Sequence, residues 1–217
     1  NLLAGGATDK ALCAGPIDFI VVGSATVQVN NMMAAYLGSQ TMHGGAVVMG
    51  APNVLVGGPA AGATLGSPGG AAAVFPGQQN FGNCGVQSAQ QVITQATGNN
   101  MAEQPLLNWA LNNGHADNDP NPQERGGTSA SQTEDILDGQ GVPSHLETGN
   151  IDNIQQTVAE GRGVISGHDA GVLWNSANPA DQGAGHAVLV SGLRYDANGQ
   201  LETVIINDTG TGSSAQE

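Results

Sequence analysis

The sequence predicts an α+β protein, with short helices in its middle and an antiparallel sheet late in the chain. Three observations carry this. After Cys84 the apolar residues Val86, Ala89, Val92, Ile93 and Ala96 fall at helical spacing. Two apolar runs, 185–193 and 201–206, flank Asp196-Ala197-Asn198-Gly199, where Gly suits the left-handed end of a type I turn. Residues 1 to about 73 are rich in Gly, Ala and Val and contain a repeat whose apolar residues alternate in β fashion.

The N-terminal stretch holds a repeat. Val22-Gly23-Ser24-Ala25-Thr26-Val27-Gln28-Val29-Asn30-Asn31 matches Met49-Gly50-Ala51-Pro52-Asn53-Val54-Leu55-Val56-Gly57-Gly58, 27 residues further on. Each copy alternates apolar residues around a Gly and ends on an Asn-Asn or Gly-Gly pair, which predicts two successive hairpins. Residues 59–76 are Gly, Ala and Pro with almost no charge and are expected as a linker or meandering arm. The helix that begins at Cys84 has Asn83 as its expected N-cap and Gly98 as its stop. Further helices are expected over 105–113, from Ser129 or Ser131 through 137, and over 151–160 with Asn150 as cap. Strands are expected at 163–168 and 172–174, before the hairpin at 185–206.

Composition excludes some functions. With 4 Lys+Arg against 18 Asp+Glu, the formal net charge is −14. Nucleic acid and anionic lipid are therefore not expected partners, since both are held through Lys and Arg. A basic partner protein fits better. Apolar runs such as Ala46-Val47-Val48-Met49 are strand-sized and fall well short of the ~20 residues of a membrane span. The chain opens on Asn1-Leu2-Leu3 without a basic segment and apolar stretch of signal-peptide type, and residue 1 is not expected to be the natural start. Two cysteines, Cys13 and Cys84, make no disulfide framework and point to thiol chemistry or metal binding.

Cys84 stands in Gln78-Gln79-Asn80-Phe81-Gly82-Asn83-Cys84-Gly85-Val86-Gln87. A cysteine in the first turn of a helix sits at its positive end, which favours the reactive thiolate. Alone, it reads more readily as a small buried hydrophobe. The late hairpin adds the missing partners. If Gly199 makes the bulge of a three-residue loop, Asp196 pairs with Gln200 and His186 falls opposite Gly210. Asp208 is then the diagonal neighbour of His186 on one face, and Asn207 points to the other. A two- or four-residue loop reverses that choice. Thiolate, imidazole and carboxylate form the nucleophilic triad logic. His168, at the end of an expected strand, competes with His186 but lacks the hairpin carboxylate. His115, Asp117, Asp119 and Glu124 do not make a calcium loop of EF-hand type, because Pro122 and Thr128 stand where Gly and Glu are needed. His145 has no partner visible in the sequence.

Residues 77 to about 212 of an expected domain 77–217, with Cys first and His and Asp on a late hairpin, resemble the papain-like cysteine proteases. The resemblance is closest to the C39-like peptidases and the papain-like toxins of bacterial secretion systems. It implies that Cys84 is the nucleophile, His186 the base, Asp208 its orienting group and Gln78, six residues before the cysteine, an oxyanion donor, with Gln79 next in line. No cofactor is implied. Within 1–60, Gly23-Ser24-Ala25-Thr26-Val27-Gln28-Val29-Asn30 and the stretch from His43-Gly44-Gly45 to Val56-Gly57-Gly58 resemble a PAAR domain, the pointed β cap of the type VI secretion spike. The first third of a typical PAAR domain has no counterpart before Asn1, and its Pro-Ala-Ala-Arg is replaced by Met32-Met33-Ala34-Ala35-Tyr36. PAAR tips commonly hold zinc through His and Cys. Cys13 and His43 stand at suitable turns, but two ligands fall short of a four-ligand structural site, so no metal is expected.

Together the two resemblances imply an antibacterial type VI effector. It would be cytoplasmic in the producer, delivered into a target cell on a trimeric VgrG spike, neutralised by an immunity protein and active on a target-cell protein. The alternatives are a deamidase or transglutaminase on the same scaffold, a non-enzymatic spike-tip or binding protein, and a protease that trims leader peptides.

Overall fold

The structure is a computed structural model in which residues 10–11, 18–24, 27–29, 31–42, 45–47 and 62–217 are described. It is a mixed α+β protein with antiparallel sheets. Its contacts group into two compact units. One holds Asn1–Gly66, Gln155–Arg162 and Leu193–Val204; the other holds Ser67–Ile154, Gly163–Gly192 and Ile205–Glu217.

In the first unit, β1 (Lys10–Ala11) pairs with β2 (Asp18–Phe19), and β3 (Gln28–Val29) pairs with β4 (Met32–Met33). The second pair turns at Asn31, whose φ of 63° is one that Asn tolerates better than most residues. Buried Ser24 and Ser39 fasten the neighbouring turns by accepting from Val27 N and Tyr36 N. The second repeat copy at 49–58, Cys13 and His43 lie outside the described residues. Strand β5 (Thr64–Gly66) follows, within the stretch expected as linker. There Tyr195 N donates to Ala63 O and Gly62 N to Asp196 O.

The second unit begins with α1 (Pro68–Ala73), also inside the expected linker and started by its proline. Ala71 is buried in the main core, so this low-charge stretch folds because its small side chains allow close packing. Helix α2 (Cys84–Thr97) ends on Gly98 at φ 73°, the left-handed stop. Helix α3 (Glu103–Asn112) and α4 (Ala130–Gly139) pack on it, with Ser129 and Gln132 closing a capping box on α4. Val86, Ala89 and Ile93 of α2, Leu106 and Leu107 of α3, and Ile136 of α4 are at most 1% exposed. Each large aliphatic side chain so buried contributes about 1.5–3 kcal/mol. Helix α5 (Ile151–Ala159) starts under Asn150, whose Oδ1 accepts from Asn153 N.

Strand β6 (Val164–Asp169) is followed by α6 (Ala170–Leu173), β7 (Gly185–Tyr195), β8 (Leu201–Asp208) and β9 (Ser213–Gln216). The sheet order is β5-β7-β8-β9, with β6 also on β7. Two local expectations need correction. The strand expected at 172–174 is the end of α6, because Asp169 caps that turn by accepting from Val172 N. Asn83 precedes α2, but its side chain makes no cap bond and is fully buried.

Candidate active site

The site is built where α2 meets the sheet. Cys84 opens α2 as a half-buried free thiol. Glycine follows it for a steric reason: a Cβ at Gly85 would collide with the Thr128 and Thr133 hydroxyls. Two bonds fix strand β7 to the helix. Ala187 N donates to Cys84 Sγ at 3.4 Å, and Ser88 Oγ, one turn on, donates to Ala187 O at 3.2 Å. His186, the preceding residue, is thereby held near the thiol, and its ring acts to lower the thiol's pKa.

The β7–β8 turn has the three-residue geometry. Asp196 N donates to Gln200 O at 2.8 Å, Gly199 N donates to Asp196 O at 3.0 Å, and Gly199 has φ 77°. Its consequence follows at the far end. His186 Nε2 lies 2.7 Å from Asp208 Oδ1, with the two side chains 5% and 0% exposed. That leaves Nδ1 for Cys84. Asn207 points the other way, donating to Ala71 O and Gln91 Oε1 and accepting from Ala215 N.

Trp174, which sequence reasoning passed over as part of a strand, completes the pair. Its Nε1 donates to Asp208 Oδ2 at 2.7 Å, and its ring lies 4.9 Å from the imidazole, tilted by 57°. Gly210 closes the far side. A Cβ there would stand 2.7 Å from Trp174 and 2.9 Å from His186 Cε1. Only the end of α6 marks Trp174 as a site residue, and that end is invisible without the Asp169 cap. Ser88 had a signal, since residues four apart share a helix face.

The electrostatics follow from this geometry. Burial pushes the Cys84 thiol up, but hydrogen bonds from His186 and Ala187 N–H, with the imidazolium charge, outweigh it and hold the thiol below its usual value. Burial alone would depress His186; bonding to Asp208 and Cys84 instead raises it to about 9. Asp208 is raised by burial but held below the usual carboxylate range by bonds from His186 and Trp174. Both shifts run in the direction of a thiolate–imidazolium pair.

The remaining candidates are placed as follows. Gln78 is exposed and donates through Nε2 to Gly210 O at 3.0 Å, beside the imidazole. Gln79 is committed elsewhere: Nε2 donates to Phe81 O, and Oε1 accepts from Thr209 Oγ1. His168 stands directly opposite His186 in the β6–β7 register, 2.7 Å from Ser166 Oγ. Burial, then the His186 charge, lower its pKa against a smaller pull from Asp208. His145 has a partner after all, Glu147 Oε1 at 2.7 Å, and His115 pairs with Asp135. Among the described residues no group of three or more His, Cys, Asp or Glu side chains is placed to hold a metal ion.

No family model, curated protein or solved structure matches the chain. The geometry therefore has to carry the functional reading by itself. Among the described residues, no helix is long and apolar enough to cross a membrane.

Proposed function

We propose that the chain is a papain-like cysteine hydrolase that cleaves amide bonds of a protein substrate. The observation that supports this most is His186, set between the Cys84 thiol on one side and the buried Asp208 carboxylate on the other. In this reading the Cys84 thiolate attacks the amide carbonyl carbon and forms the C–S bond. The carbonyl oxygen takes the negative charge. Gln78 has one amide N–H on Gly210 O and a second free to meet that oxyanion. His186 gives its proton to the leaving nitrogen as the C–N bond breaks. It then takes a proton from the water that attacks the thioester; the C–S bond breaks, releasing the acid and restoring the thiolate–imidazolium pair. Asp208 holds the ring and stabilises its charged form. The PAAR resemblance of residues 1–60 supports the wider proposal: a type VI effector carried on a VgrG spike, acting in the target cell and bound by an immunity protein.

Two measurements test the chemistry. The rate of Cys84 alkylation by iodoacetamide against pH needs no substrate. Reaction is expected well below the ordinary thiol range, and His186→Ala is expected to move the profile upward. An ordinary thiol profile in the wild type would refute the ion pair. N-terminal labelling of proteins from cells expressing wild type or Cys84→Ala then reads the reaction: a cut backbone, a side-chain amide turned to acid, or a crosslink. Only the first agrees with the hydrolase proposed.

A further inference from the structure

Gln78 is exposed, and a long exposed side chain does not hold an oxyanion donor in place by itself. The segment that carries it is fastened to the end of β8. Gln79 N donates to Thr209 O at 2.9 Å, and Thr209 Oγ1 donates to Gln79 Oε1 at 2.7 Å. The amide of Gln79 has a fixed orientation. Its Nε2 donates to Phe81 O at 2.8 Å, and a carbonyl only accepts, so Oε1 faces the hydroxyl. Thr209 is 1% exposed, which leaves water little access to that bond.

Thr209 directly follows Asp208, and the same turn meets Gln78 twice more. Gly210 O accepts from Gln78 Nε2 at 3.0 Å, and a Cβ on Gly212 would stand 3.0 Å from Gln78 Cβ. Asp208 Oδ1 accepts from His186 Nε2 at 2.7 Å and from Gly210 N at 2.8 Å. The turn 208–212 therefore holds the base by a carboxylate, and the Gln78 segment by two carbonyls and a hydroxyl. On the other side of Gln79, Asn80 donates through N and Nδ2 to the two oxygens of Glu103. Those exposed bonds tie the segment to α3. The Thr209 bonds tie it to the strand that carries Asp208.

We propose that Thr209 is a positioning residue: through Gln79 it sets Gln78 in register with His186, so that oxyanion donor and base meet the same carbonyl. This rests on the hydrolase reading, in which Gln78 is the donor. The demand on placement is strict, since a shift of about 1 Å in a reacting site can cost on the order of a hundredfold in rate.

Two reactions of one thiolate separate placement from nucleophile strength. Iodoacetamide alkylates Cys84 by displacing iodide, and no oxyanion forms. With p-nitrophenyl acetate the thiolate attacks the ester carbonyl, whose oxygen takes the charge. The C–O bond then breaks, nitrophenolate leaves without needing a proton, and Cys84 carries the thioester. Both rates are read on the full chain by mass spectrometry of the Cys84 peptide, and N-acetylcysteine gives the baseline ratio of acylation to alkylation. The wild type should exceed that ratio at least tenfold. Thr209→Val keeps the size and removes the hydroxyl. It should slow acylation at least tenfold while the alkylation rate and its pH profile stay in place. Thr209→Ser, which keeps the hydroxyl, should acylate close to the wild-type rate. Gln78→Ala should lose at least as much as Thr209→Val, and the double variant no more than Gln78→Ala alone, because Thr209 acts through Gln78.

If Thr209→Val also disturbs alkylation, Gln79→Met carries the comparison: it removes the acceptor, leaves Thr209 intact and should show the same selective loss. Undiminished acylation in whichever of these two variants keeps the alkylation profile overturns the proposal. So do equal losses in Thr209→Val and Thr209→Ser, which would mark a packing role, and so does an added loss in the double variant. A wild-type ratio no higher than that of N-acetylcysteine sinks the hydrolase reading and this role with it. A raised ratio that Gln78→Ala lowers and Thr209→Val does not sinks the role of Thr209 alone.

Discussion

Asp208 and Asn207 are neighbours in sequence with opposite work. Asp208 accepts from His186 and Gly210 N through Oδ1 and from Trp174 through Oδ2. Asn207 ties α1, α2 and β9 together. Asp208→Asn removes the charge that helps hold His186 near 9. The imidazole then loses its proton at lower pH, and the Cys84 alkylation profile should move upward. Asn207→Ala should leave that profile in place and lower unfolding free energy by about 1–3 kcal/mol, because buried partners lose their bonds. Denaturant titration beside the alkylation assay separates the two. The sign for turnover follows from the same pair. On the hydrolase reading, the rate should fall as pH rises through about 9, where His186 loses the proton meant for the leaving nitrogen. It should fall again as pH drops through the depressed value of Cys84 and the thiolate is protonated. A plateau should lie between, with limits that belong to the coupled pair.

At the scale of elements, α2 and the β7–β8 hairpin carry the site, and both were legible. The hairpin was readable because one turn type sets the register of two whole strands, and Gly199 announces that type. Helix α2 was readable from its apolar spacing and from Gly98. What lies between them was not. Val172-Leu173-Trp174 is too short for periodicity to decide between strand and helix, and a side-chain cap decided it. The register also could not show that Gly85 lets α2 approach Thr128 and Thr133, whose hydroxyls lie 3.0 Å apart. Gly85→Ala should therefore cost about 1–3 kcal/mol by overpacking and displace the first turn of the helix. Cys84 should alkylate with a profile closer to a free thiol. A variant of full stability and unchanged profile would show that the helix start yields without cost.

For the whole molecule, the core of the second unit should set global stability. Leu106 and Leu107 are fully buried among α2 and α4 residues. Leu106→Ala should lower unfolding free energy by about 2–5 kcal/mol, read by denaturant titration. The helix that carries them was legible as an expected helix over 105–113. Domain organisation was harder to read. Composition divides the chain near 60 and 76, whereas contacts place Leu193–Val204 with Asn1–Gly66. The reason is non-local: Ala63 O accepts from Tyr195 N across more than a hundred residues of chain, a pairing that no window of sequence reveals.

The indole over His186 has an optical consequence. The chain has two tryptophans, and each ring lies against a histidine, Trp174 on His186 and Trp109 on His115. A protonated imidazole quenches an adjacent excited indole more strongly than a neutral one. In a Trp109→Phe background, the remaining emission should brighten as pH rises through about 9 and stay flat when His186 is replaced by Ala. The molecule would then report the charge of His186 by light.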